Sequence, residues 1–457
     1  MSASHQLAIL GGSPVRRTPF PAVACLDEDE EREITKVLRS RLLSGFFGST
    51  NPNIQAQLAM TSAEVIRANL GDYSFLGGRT VRQFEADFAA FAGMPFAVSN
   101  HSATGALSTA LAAFGVGPGD EVITTCMSFT ATGTSILAFN SIPVFVDVSP
   151  EAYCLDPRAV ERAITPATKA IMVVHLYGLA ANMDAILDIA ARHRLIVIED
   201  CAQAIGTRYR GRLVGTIGDA GVFSFNHQKN ITTGEGGMLV TRRPEVAAHA
   251  RLTRNHGEVV PTDEWSDSSL INVIGFNMRM TELTAALGVA QLRKLAENNR
   301  VRNENAAFLR DRLGRIPSLA FQEIPEHLEP CIHVLAAEYD AQSTGVSRDD
   351  LVRALSAEGI PVGCGYPRLM HTHPLFTRGI AYGRDGYPFT APGARRPAYG
   401  AGTCPYAEQI TRERLITLPA LHRPCTLSDM ESVAQAFEKV FANLDQLTTG
   451  RAAPVLA

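Results

Sequence analysis

Between Gly119 and Val240, short β-branched apolar runs alternate with amphipathic stretches rich in Ala and Leu, and Gly, Pro or Asp marks the boundaries. The runs predict strands over 121–125, 143–148, 170–177, 195–200, 220–225 and 237–241. Several are apolar throughout, as strands covered on both faces must be. The stretches around 132–139 and 183–193 read as crossover helices, and an earlier helix is predicted over 80–91. Alternation of this kind builds an α/β fold around a doubly wound, mainly parallel sheet with helices on both sides.

After the amphipathic stretch 281–299 the grammar changes to a helix, a strand over 333–339, a helix over 348–358 and a last helix over 427–443. This predicts a smaller α+β C-terminal domain docked on the first. The expected division is an N-terminal segment 1–75, a large domain 76–297 and a small domain 298–457. Two segments, 42–74 and 379–404, lack periodicity. The second is rich in Gly, Pro, Arg and Tyr and is expected to be a long surface loop, and both are expected to border a substrate site. The terminal 451–457 is expected to lack fixed structure.

A chain of 457 residues has room for two subdomains and a deep, dry cleft. With 42 Lys and Arg against 46 Asp and Glu, it carries no basic footprint for nucleic acid or an acidic membrane, which leaves a small molecule as the expected partner. Charges or Gly and Pro interrupt every apolar stretch short of the ~18 residues of a membrane span, and the N-terminal residues do not read as a secretory leader, so a cytoplasmic protein is expected. The eight Cys contain no C-x-x-C pair, so neither a zinc site nor a disulfide framework is expected. They read as small apolar fillers, and no metal is expected.

Three islands carry chemistry, each at a strand end where α/β proteins place ligands. In the first, residues 99–111, a strand gives way to a helix near Ser102, and the small residues Ala103, Thr104 and Gly105 let backbone N–H groups approach an anion. The alternative is an ordinary Ser N-cap. The second, residues 195–206, is an apolar strand ending in Glu199 and Asp200. A buried carboxylate there can pair with a protonated ring nitrogen, with Gln203 close behind, or it simply caps the next turn. The third, residues 221–241, joins an apolar strand to Lys229 and then to the turn Gly234-Glu235-Gly236-Gly237. A lysine at the base of a cleft loses basicity and can form an imine, and Ser224 just before it can donate to a phosphate. A lone lysine is ordinarily a solvated surface charge, so Lys229 draws its meaning from these neighbours.

Taken together, the strings S-x-T-x-A-L, E-D-x-A-Q and S-F-x-x-x-K-N-x-x-x-G-E-G-G-M, in this order along the chain, resemble the DegT/DnrJ/StrS sugar aminotransferases, which are fold-type I pyridoxal phosphate enzymes. The resemblance implies a seven-stranded type of sheet in the large domain, and pyridoxal 5'-phosphate as cofactor. It assigns Lys229 as the Schiff-base lysine and proton carrier, and Asp200 as the partner of the pyridine nitrogen. Gln203 would contact the cofactor's phenolic oxygen, and Ala103, Thr104 and Ser224 its phosphate. Phe129 would stack on the ring, although from its position alone it reads as a core aromatic. Asn277 would reach the phosphate of a neighbouring subunit, making a homodimer with shared sites. The implied reaction moves an amino group from glutamine or glutamate to a keto-sugar or keto-cyclitol, as in amino-sugar or aminoglycoside biosynthesis.

The chain departs from the family pattern where Ala103 replaces Gly and where Gly365-Tyr366-Pro367 stands for the usual H-Y-P. His371 does not automatically replace the lost histidine. His175 and His256 read as structural. Rival readings are a dehydratase or aromatising synthase of the same family, or a non-catalytic protein retaining the fold; the intact Lys229, Asp200 and Ser224 argue against the last.

Overall fold

The computed structural model describes residues 6–23, 25–48, 54–257, 273–383 and 385–449. Its centre is a seven-stranded sheet. The strands are β1 (Phe96–Asn100), β2 (Glu121–Thr125), β3 (Ile142–Val146), β4 (Thr168–Val174), β5 (Ile196–Asp200), β6 (Ala220–Ser224) and β7 (Gly237–Thr241). They lie in the order β1-β7-β6-β5-β4-β2-β3. All run parallel except β7, which is antiparallel to both β1 and β6. The expected mainly parallel sheet is therefore present, with one reversed strand inside it. The reversal follows from the link between β6 and β7, which is a loop with no helix to carry the chain back across the sheet.

Each strand is buried on both faces, and successive residues divide between two apolar layers. One layer sets Val98, Val122, Met172, Ile198, Val222 and Leu239 against helix α3 (Ala103–Ala113). The other sets Ala97, Ile123, Ile171, Val197, Phe223 and Val240 against helix α2 (Arg79–Ala92). In that second layer Phe88 meets Phe223 edge-on at 5.1 Å and Phe84 lies 5.2 Å from Phe225. Burying each such side chain stabilises the fold by about 1.5–3 kcal/mol. Crossover helices include α3 between β1 and β2, α4 (Ala131–Leu137) between β2 and β3, the short helix Pro157–Ala163 between β3 and β4, and α5 (Met183–His193) between β4 and β5. Helix α6 (Pro244–Arg254) then packs on the α3 side.

Helix α7 (Glu282–Leu313) is 32 residues long and runs straight through position 297, where the sequence division was drawn. Beyond it an antiparallel sheet of β8 (Leu319–Phe321), β9 (Leu335–Tyr339) and β10 (Leu415–Leu418) is flanked by α8 (Arg348–Ala357), α9 (Pro405–Glu413) and α10 (Leu427–Phe441). Among the described residues no helix is long and apolar enough to cross a membrane.

Two aperiodic segments turn out differently from expectation. Within 42–74 the chain forms two short helices, Ile54–Ala59 and Ser62–Arg67, the second opened by a capping box between Thr61 and Glu64. Their Ile54, Leu58 and Val65 are buried against Ala248 and Leu252 of α6. Segment 379–404 has no regular structure, yet it is a strap rather than a loose excursion. The Tyr399 hydroxyl donates to the Pro143 carbonyl of β3 (2.6 Å), Tyr382 donates to Leu137 O (2.7 Å), and Arg395 pairs with Glu121 (2.8 Å). It thus covers the β3 edge of the large sheet. The expectation for 451–457 falls outside the described residues.

Candidate active site

The C-terminal ends of the parallel strands open into one cavity of about 630 Å³. At its first wall, β1 leads through His101 to Ser102, whose hydroxyl accepts the Gly105 N–H (3.0 Å) and caps α3. The N-cap reading therefore holds, and it sits beside the anion-binding one. Helix geometry leaves the Ala103 and Thr104 amides without intrahelical acceptors, and both residues line the cavity. Gly237 lets this helix start seat closely: a Cβ there would lie 2.5 Å from Ala103 N and from the Ser102 carbonyl. Ser224, its partner across β6 and β7, also lines the cavity.

Asp200 ends β5, is 4% exposed, and accepts hydrogen bonds from Thr132 Oγ1 (3.1 Å) and the Ala202 N–H (3.1 Å). Burial raises its pKa above the ordinary carboxylate range despite those donors and nearby Lys229. Its ionised form is thus short of compensation and gains from any added cationic donor. Gln203, one turn on, is more committed than the sequence implied. Its Oε1 accepts the Tyr177 N–H (3.2 Å) and its Nε2 donates to the Tyr366 hydroxyl (2.6 Å), leaving one amide proton for a ligand.

Lys229 lies on the loop between β6 and β7, and its side chain reaches the cavity. Helix α7 fixes that loop. Asn298 donates to Asn230 O (3.1 Å), Asn230 donates to Asn299 Oδ1 (2.8 Å), and Gln291 accepts the Thr232 N–H (3.1 Å). Burial, with Arg302 adding repulsion against the attraction of Asp200, lowers the Lys229 pKa to about 8. About a tenth of the amine is then neutral at pH 7, the form that attacks a carbonyl.

Phe129 also lines the cavity, and at 65% exposure it is not the core aromatic its position alone implied. Asn277 stands apart. It is exposed and does not line this cavity, although the next residue, Met278, accepts the His101 N–H (2.8 Å) beside the Ser102 turn. Of the three histidines singled out, His175 is fully buried between Glu199 (2.9 Å) and the Ala181 N–H (3.2 Å), and His256 is an exposed turn residue. His371 lies outside the cavity wall.

Several lining residues escaped the sequence reading: Thr132, Tyr177, His333 and Tyr366. Tyr177 has a left-handed backbone (φ 57°), and among the described residues neither its buried hydroxyl nor His333 Nδ1 has a hydrogen-bond partner. Burial and the positive charges of Lys229 and Arg302 hold His333 well below the usual histidine range, so it is neutral. Gly365 has φ 77°, and a Cβ there would meet Leu415 Cδ2 at 2.5 Å and Tyr177 Oη at 3.1 Å. The histidine common at this place in the family would not fit. The odd G-Y-P string was the available signal in the sequence.

The chain matches the model of the DegT/DnrJ/EryC1/StrS aminotransferase family over residues 57–437. It is 36% identical to the L-glutamine:2-deoxy-scyllo-inosose aminotransferase of Streptoalloteichus tenebrarius over 455 residues, covering 96% of this chain and 99% of that one. The fold superimposes on DesI, solved in the presence of its TDP-sugar product, with a TM-score of 0.75, 27% identity and coverage of 97% and 98%. It also superimposes on 3-amino-5-hydroxybenzoic acid synthase, with a TM-score of 0.74, 26% identity and coverage of 95% and 100%.

Proposed function

The chain belongs to the DegT/DnrJ/EryC1/StrS aminotransferase family, and from that premise we propose that it moves the amino group of glutamine to a free keto-cyclitol, with pyridoxal 5'-phosphate bound at Lys229. The observation that carries the choice of acceptor is the charge of the cavity wall. Among the described lining residues Lys229 is the one lysine or arginine. A nucleotide-linked sugar brings a diphosphate, which proteins meet with arginine or lysine forks. The neutral hydroxyl and imidazole groups of Tyr177, Tyr366 and His333 suit an uncharged polyol instead. The end-to-end match to an inosose aminotransferase supports the same reading.

The residues present fit the cofactor. When bound, pyridoxal phosphate supplies a carbonyl and an electron-withdrawing ring for the bond-breaking at the donor's α-carbon. The Ala103 and Thr104 amides and the Ser224 hydroxyl would hold its phosphate, and Phe129 its ring face. Asp200 would hold a protonated ring nitrogen, which supplies the cation its buried carboxylate lacks. Gln203 offers its remaining amide proton to the phenolic oxygen. Lys229 then acts as the base, moving a proton between carbon atoms while Asp200 keeps the charge balance.

A homodimer completes this reading. Phe47, Tyr73, Ile274 and Phe276 are 66%, 63%, 76% and 44% exposed, an apolar group that a second subunit would cover. Asn277 lies in its midst and would reach the partner's phosphate. Eight free cysteines are compatible with the reducing cytoplasm.

The test is an assay of the purified protein with 2-deoxy-scyllo-inosose and nucleotide-linked 4-keto sugars, each with glutamine and with glutamate. The expected result is an amino-cyclitol formed with consumption of glutamine. Turnover of the nucleotide sugars alone would overturn the acceptor assignment. An aromatic product formed without donor consumption would favour the aromatising chemistry of the hydroxybenzoate synthase. Sedimentation or light scattering should give a dimer mass.

A further inference from the structure

Cys126, His371 and Cys404 are remote in sequence, yet one ligand atom from each lies within 4.8 Å of the others, and all three residues are 0% exposed. His371 is set as a ligating histidine would be. Its Nε2–H donates to Glu408 Oε1 (2.8 Å), and the buried Nδ1 meets no nitrogen or oxygen partner among the described residues, with the Cys404 thiol beside the ring. The Glu408 carboxylate is itself fixed by the Gly402 N–H (2.9 Å) and the Cys404 N–H (3.2 Å). A carboxylate that orients the far nitrogen of a histidine is the usual outer support of a metal site.

The other buried group of this kind, His175 with Glu199 and Cys201, lacks such openness. There both ring nitrogens are engaged, and Glu199 accepts the N–H groups of Gly215, Ile217 and Gly218 (2.7, 2.7 and 2.6 Å). It is a satisfied structural network. In the Cys126 group the thiols and the imidazole instead face one another, Cys404 lying within hydrogen-bonding reach of both Cys126 and His371.

We infer that Cys126, Cys404 and His371 Nδ1 form a structural zinc site. Zinc bonds of about 2.3 Å to sulfur and about 2.1 Å to nitrogen place tetrahedral ligand atoms roughly 3.6 Å apart, inside the 4.8 Å limit that the triad meets. Two thiolates and an imidazole select zinc over hard cations. The fourth position falls to water, because both oxygens of nearby Asp147 already accept the Tyr406 and Ala407 N–H groups (2.8 and 2.9 Å). The site ties the strap that ends at Cys404 to the end of β2. Two and three residues beyond Cys126, Ser128 and Phe129 line the active cavity, so the metal steadies that wall.

The test is metal analysis of the full-length holoenzyme grown with zinc, alongside Cys404→Ala and His371→Ala. The expected result is about one zinc per chain in the native protein and less than about a tenth of that in either variant, with the visible absorbance of bound cofactor retained. After chelation, cobalt titration should give a thiolate-to-metal charge-transfer band in the native protein alone, and this reading decides the matter if the variants fail to fold. Native protein that neither carries zinc nor takes it up from zinc chloride overturns the proposal. So does an unchanged zinc content in both variants, or loss of two titratable thiols to a Cys126–Cys404 disulfide.

Discussion

Gln203 donates to the Tyr366 hydroxyl across 2.6 Å, joining the strand that carries Asp200 to the small domain. Because the amide is the donor, the Tyr366 proton stays free for a ligand, and burial keeps that hydroxyl protonated by pushing it up to about 12. Tyr366→Phe removes one hydrogen bond of about 1 kcal/mol. The expected outcome is a roughly fivefold lower kcat/KM for the keto acceptor with an unaltered fold. An unchanged kcat/KM would mean that Tyr366 contacts no substrate.

Lys229, lowered to about 8 by burial, is protonated below that pH and neutral above it. The rate at which apo-protein takes up pyridoxal phosphate should rise about tenfold per unit from pH 6 to 7 and level off above about 8. A lysine in its ordinary range would keep accelerating toward 10.5. The sign for stability follows. Because the folded state disfavours the charged amine, the penalty on the apo fold is fully present below about 8 and fades as pH rises toward 10.5. Lys229→Ala should raise apo stability at pH 7 and abolish turnover.

Asp200→Asn keeps the shape and the acceptor for the Ala202 N–H but removes the negative charge. The variant should still bind cofactor through Lys229 and the phosphate cradle. Its rate with glutamine, followed by absorbance in a single half-reaction, should fall on the order of a hundredfold or more. A fall below threefold would show that ring-nitrogen charge is not set here.

Gly365→Ala introduces a Cβ at φ 77° that overlaps Leu415 and crowds the Tyr177 hydroxyl. The strain should cost about 1–3 kcal/mol, seen as a lower denaturant midpoint. The acceptor KM should rise while the glutamine half-reaction holds its rate.

Local pattern exposed much of this molecule. Apolar continuity marked six of the seven strands, β1 showing only as the run that leads into Ser102, while Ser224 and Asp200 stood at strand ends and Lys229 just beyond one, where α/β chemistry collects. The direction of β7 went unread, although 225–236 has no helical period and a parallel partner needs a crossover. What stayed hidden depends on distant parts of the chain meeting. Thr132 meets Asp200 across 68 positions, and Gln203 meets Tyr366 across 163. The strap at 379–404 looked loose because its anchors Tyr382, Arg395 and Tyr399 are spaced at no fixed period.

Helix α7 grips the Lys229 loop with Gln291, Asn298 and Asn299, and further along it holds the small domain through Arg302 on His333 O (3.1 Å) and Asn305 on Leu421 O (2.9 Å). A rod pinned at both ends transmits tilt. Any shift of the β8–β10 layer is therefore passed along one helix to the loop that carries Lys229.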